Sequence, residues 1–78
     1  MSYKIGDDMF TIYGGRDNGD RAMIIAKKTT KKGATKYRLR KVNQQDLHKT
    51  KPRLTKHKIW HDEGHLDRNW KRIGSMKP

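Results

Sequence analysis

Residues 35–42, Thr-Lys-Tyr-Arg-Leu-Arg-Lys-Val, alternate between ring or aliphatic side chains and cations. Tyr37 and Leu39 share one side of an extended chain, and Arg38 and Arg40 share the other. Such a period of two excludes an amphipathic helix and predicts a strand with one dry face and one wet, cationic face. The five residues before it, Thr30-Lys31-Lys32-Gly33-Ala34, read as a hairpin connection, with glycine where a positive φ is wanted. A second strand is therefore expected upstream. Residues 21–29 supply it: Ala22, Ile24 and Ala26 on one face, Met23 and Ile25 on the other.

The rest of the chain is read outward from this hairpin. Gly6-Asp7 is a turn dipeptide leading into Met9-Phe10-Thr11-Ile12-Tyr13, a third strand. Phe10 and Ile12 share one of its faces, and Met9, Thr11 and Tyr13 the other. Residues 14–20 form a loop without periodicity. Residues 43–53 read as a mobile basic loop, and 55–61 as a weaker strand. Farther on, Leu66, Trp70 and Ile73 fall at i, i+4 and i+7, with Gly74 placed to stop a helix over about 65–73. Two such turns are unstable alone and must dock on the strands. Hairpins at this spacing predict an all-β fold: one domain over 1–78, a small barrel of four to five strands over about 4–61, with a short C-terminal helix.

At 78 residues the chain is near the lower limit for a self-sufficient core, and it has no cysteine to staple one. Its longest apolar run, 22–26, is too short to cross a bilayer, and the N-terminus has no apolar block of a secretory signal. A soluble, cytoplasmic protein is expected. The formal charge is +12. Residues 1–20 carry a net −2, 21–60 a net +13 and 61–78 a net +1. Like charges repel in a compact state, so this concentration points to a polyanionic partner.

Several chemistries are weighed against the motifs. Asp17-x-x-Asp20 lacks the alternating oxygen ligands and closing glutamate of a calcium loop. Gly14 to Asp20 opens into a strand, whereas phosphate-binding glycine loops open into a helix. By itself this loop reads as a turn. His57, His61 and His65 recur every four residues, which on a helix would line up as zinc ligands. Gly64 interrupts such a helix and Ile59-Trp60 suits a strand, so no metal is assigned. Asp62 or Glu63 instead caps the helix, with Trp60 and Trp70 in or beside the core. The two serines, Ser2 and Ser75, lie near the termini, and no paired-carboxylate arrangement stands out. Neither catalysis nor a cofactor is expected.

Gly6-Asp7 followed by an apolar strand, then Gly15-Arg16-Asp17-Asn18-Gly19-Asp20-Arg21-Ala22-Met23-Ile24, resembles the KOW motif. Arg16 stands at the family's first basic position, Asp17 at its aspartate and Gly19 at its near-essential glycine. Ala22 and Ile24 stand at its small and aliphatic positions, and Gly15 opens the motif. Val42-Asn43, His48-Lys49 and Lys51-Pro52-Arg53 look like a stretch of the KOW-containing large-subunit ribosomal protein. The resemblance spans about residues 4–53, and the segment from Thr55 onward matches nothing in the family. It implies an SH3-like barrel that binds RNA or protein in ribosomes or the transcription machinery. Asn18 and Asp20 stand where the family often has lysine, which directs the binding surface away from this loop.

The expected interface is the lysine-rich hairpin: Lys27, Lys28, Lys31, Lys32, Lys36, Arg38, Arg40 and Lys41. Lys49, Lys51 and Arg53 form a flexible arm beside it. Tyr13 and Tyr37 are the aromatic candidates for base stacking, with Tyr37 read as core. RNA ranks first as the partner, bound without catalysis. A different class fits the same residues: a small interaction protein, of the kind viruses use for host takeover. It would dock on an acidic surface of RNA polymerase or a chaperone-protease. A DNA-coating protein is the third reading.

Overall fold

A computed structural model describes residues 3–11, 20–47 and 49–75. It contains β1 (Asp7–Thr11), β2 (Arg21–Thr29), β3 (Thr35–Val42), a 3-10 turn (Gln44–Asp46), β4 (Leu54–Asp62), α1 (Glu63–Asn69) and β5 (Trp70–Ser75). The strands form one antiparallel sheet in the order β4-β3-β2-β1-β5. The fold is all-β and barrel-like, but the sheet is not closed: β4 and β5 are its two edges. α1 carries the chain from one edge to the other and packs against β3, β4 and β5. None of the described helices is long and apolar enough to cross a membrane.

The hairpin formed as its residues dictate. Gly33 has φ +81°, and the Thr30 N–H donates to the Ala34 carbonyl at 2.7 Å. The dry faces of β2 and β3 supply Ala22, Ile24, Tyr37 and Leu39, which bury with Tyr3, Met9, Leu66 and Trp70. Ile59 packs at the margin of this core. β2 is apolar on its other face too, where Met23 and Ile25 join Val42 and Leu54 in a smaller cluster. Burying residues of this type contributes roughly 1.5–3 kcal/mol each.

Three expectations are corrected. First, Ile25 forms a β-bulge: Ile24 pairs with Leu39, but Ala26 pairs with Arg38. The extra residue inverts the alternation, so Ala26 shares the face of Arg38 rather than that of Ile24. Second, α1 ends at Asn69, and residues 70–73, expected to be helical, begin β5. Asp62 caps α1 by accepting the His65 N–H at 2.7 Å, as the sequence suggests. At the other end the Trp70 N–H donates to the Leu66 carbonyl while Trp70 itself is extended, φ −124° and ψ 151°. Residues 70–75 then pair with β1, whose outer edge would otherwise lack partners. Ile73 sits at a bulge and stays 51% exposed.

Third, the described residues of 43–53 are held by hydrogen bonds rather than standing as a free arm. Asp46 is buried at the end of the 3-10 turn, where it accepts from the Arg53 N–H at 2.8 Å and from Arg53 Nε at 2.9 Å. Lys49 Nζ lies 3.1 Å from its other oxygen. Arg21 ties the same segment to the sheet. Its Nε and one terminal nitrogen grip Asp8 at 2.9 and 2.6 Å. The other terminal nitrogen donates to the carbonyls of Leu47 and Lys49 at 3.0 and 2.8 Å. A buried carboxylate needs such partners, and these cations come from neighbouring chain.

Candidate nucleic-acid interface

The bulge at Ile25 decides which cations share a surface. Beyond it, Lys27 pairs with Tyr37 and Lys28 with Lys36. Directly opposed residues of an antiparallel pair project from the same face. Lys28 therefore joins Lys36, Arg38 and Arg40 on the wet side of the sheet. Lys27 falls on the side of Tyr37, its Nζ 5.7 Å from that ring's centroid.

β4 extends the wet face. Lys36 pairs with Asp62, Arg38 with Trp60 and Arg40 with Lys58. Read across β2, β3 and β4, the rows are Lys28–Lys36–Asp62, Ala26–Arg38–Trp60 and Met23–Arg40–Lys58. Trp60 is 40% exposed and stands among the cations, with Lys28 Nζ 4.3 Å and Arg38 Cζ 5.7 Å from its ring centroid. Both distances suit a cation–π contact. Arg40 Nε donates to the Thr55 carbonyl at 2.6 Å, which orients it along β4. Arg38 Nε is buried without a hydrogen-bond partner among the described residues. Opposing Lys28 and Lys36 costs about 0.2–1 kcal/mol, a repulsion that a bound anion would relieve.

Carboxylates engage the cations elsewhere. Asp7 lies 3.1 Å from Arg72 Nε, Asp8 holds Arg21, and Asp20 lies 3.0 Å from Lys41 Nζ. Arg53 and Lys49 hold the Asp46 carboxyl well below the usual carboxylate range, the Arg53 hydrogen bonds contributing most. Of the expected interface, Lys41, Lys49 and Arg53 are thus bound to acids within the protein. Lys28, Lys36, Arg38 and Arg40 are brought together on one face. Lys31 and Lys32 are exposed in the turn beyond that face, and Lys51 is exposed in the segment between the 3-10 turn and β4.

Tyr37 is core, as expected: it is fully buried, and its hydroxyl accepts the Tyr3 N–H at 3.2 Å. Trp70 is buried as well, but Trp60 is not, which corrects the placement of both tryptophans in or beside the core. Trp60 and Lys58 also stand on this wet face and were not among the expected residues. A signal was present, because Lys58, Trp60 and Asp62 alternate with Ile59 and His61, and Ile59 marks the dry side. Of the motif residues, Ala22 and Ile24 are fully buried core. Gly15, Arg16, Asp17 and Gly19 lie outside the described residues, as does Tyr13.

The histidines do not converge. His57 and His61 are four residues apart on one strand, about 13 Å at the usual rise. His61 stacks on His65 with ring centroids 3.9 Å apart. Burial, then the neighbouring His65, pushes the His61 imidazole below its ordinary pKa. Among the described residues no three His, Cys, Asp or Glu side chains are grouped to hold a metal ion. No protein-family model, curated protein or solved structure matches the chain.

Proposed function

We propose that this protein is a non-catalytic nucleic-acid-binding module, with RNA as its partner, acting in the cytoplasm. One observation carries the reading. Five cations with no salt bridge to a carboxylate among the described residues, Lys28, Lys36, Arg38, Arg40 and Lys58, gather on one wet face of β2, β3 and β4, around an exposed tryptophan. Carboxylates near the start of β1 and β2 and in the 3-10 turn neutralise Arg21, Lys41, Lys49, Arg53 and Arg72. Phosphate neutralisation on a rigid sheet is the mechanism, with weak sequence discrimination. The KOW resemblance of residues 4–53 favours RNA over duplex DNA.

A salt titration tests this. If Lys28, Lys36, Arg38, Arg40 and Lys58 each neutralise one phosphate of a single strand, log K falls against log salt with a slope of about −3.5. Between 50 and 200 mM salt that is a loss of about 100-fold. No affinity for RNA or DNA at low salt refutes the reading. In that case a protein partner retained from nuclease-treated lysate would support docking on an acidic surface of a larger machine.

A further inference from the structure

We infer that Trp60 is a nucleobase-stacking platform, so that the ligand of the cationic face is a single strand with unpaired bases rather than a duplex. This rests on the nucleic-acid reading above and deepens it. Trp60 is one of three large apolar residues exposed in the described structure, with Ile5 and Ile73. It is the only one of the three with an aromatic face. The core is complete without it, since Trp70, Leu66, Tyr37 and Leu39 are already buried together.

The ring's setting suits a base. Trp60 lies on β4, an edge strand, so no neighbouring strand covers its far side. Across the ladder it stands beside Arg38, and diagonally beside Lys28, whose ammonium is 4.3 Å from the ring centroid. These cations hold the indole in place in the free protein, and a phosphate can draw them without leaving the face. Lys36, Arg38 and Arg40 project at every second residue of β3, a repeat of about 7 Å. A strand laid along β3 therefore meets a row of cations on one side and an aromatic face on the other. Within a duplex the base faces are covered by their neighbours, so an indole on a sheet surface reaches only unpaired bases. The buried Tyr37 and Tyr3 cannot serve in this way.

Three probes separate stacking from charge: oligoadenylate, a duplex of equal length, and inorganic polyphosphate, which has phosphates but no bases. Oligoadenylate is expected to quench the emission of the exposed Trp60. Polyphosphate is expected to bind without comparable quenching. Trp60→Ala should weaken oligoadenylate binding about 5- to 150-fold and leave polyphosphate binding within about twofold. Trp60→Phe should recover part of the loss. Because Trp60 is half-exposed, the variant should fold, and emission from the buried Trp70 reports whether it has. Unchanged oligoadenylate affinity in Trp60→Ala, or a duplex bound as tightly as the single strand, overturns the stacking inference and leaves the electrostatic reading standing. Failure of all three probes to bind overturns both.

Discussion

Arg21 is basic and lies at the start of the charge-rich tract, yet it is buried on Asp8 rather than exposed on the cationic face. Its side chain is 8% exposed and that of its partner Asp8 is 9% exposed. Every guanidinium nitrogen donates, two to Asp8 and one to both the Leu47 and Lys49 carbonyls. Arg21→Met keeps most of the volume and removes all four bonds. It leaves the Asp8 carboxylate buried without its cation, and unties Leu47 and Lys49 from the sheet. Breaking a buried pair from one side costs about 3–5 kcal/mol. A chain of this length is expected to have about 4–12 kcal/mol in total. With a urea m-value of about 1 kcal/mol/M, the midpoint should fall by about 3 M or more, or the folded baseline should vanish. Equilibrium urea unfolding followed by Trp70 emission reads this directly. The Asp8→Leu/Arg21→Met pair should be more stable than Arg21→Met alone, because no charge is then stranded. A loss below about 1 kcal/mol in Arg21→Met, the range of an exposed pair, would refute the reasoning. So would a double variant no better than the single.

The other predictions concern the hairpin, the imidazole stack and the division of the cations. Gly33→Ala should cost about 1 kcal/mol or slightly more in urea unfolding, from the positive φ alone, because no atom lies within 4 Å of the added Cβ. Gly33→Asn should cost less. His61 is held below its ordinary pKa by burial and by His65, with Lys41 acting in the same direction and Asp62 against it. A depressed value means stability fully present above the unfolded pKa of about 6.5 and lost as pH falls through the lower folded value. Urea midpoints should therefore be flat near neutral pH and decline below about pH 6.5, and His65→Gln should shallow the decline. Finally, Lys28→Ala and Arg38→Ala should each reduce the salt slope of RNA binding by about 0.7, measured by fluorescence anisotropy. Lys49→Ala should change it less, because Lys49 already faces Asp46.

Much of the fold was legible because it depends on near neighbours in sequence. The alternation of 35–42, the turn with Gly33 and the apolar faces at Ala22 and Ile24 each follow from a few residues and the pleat of a strand. The interface was less legible. The hairpin cations stand out in the sequence as a group, but nothing in residues 21–29 reveals that Ile25 bulges and that Lys27 and Lys28 then part company. Trp60 and Lys58 were missed because 55–62 alternates less cleanly than 35–42.

Local pattern by itself determined that this chain forms antiparallel strands, and that Ala22, Ile24, Tyr37 and Leu39 are their dry residues. Tertiary structure alone decided the rest. It turned residues 70–73 from expected helix to strand, because the outer edge of β1 needs hydrogen-bond partners more than two helical turns can offer. It drew Lys49 and Arg53 onto Asp46, because a buried carboxylate takes the nearest cations. It left Trp60 outside among Lys28 and Arg38, because register with Arg38 fixed the ring on the wet face. The edge pairing and the placement of Trp60 depend on contacts between distant segments, whereas the Asp46 pairs join residues three and seven apart. A one-residue bulge or an unpartnered edge changes no local propensity, yet it changes which side chains meet.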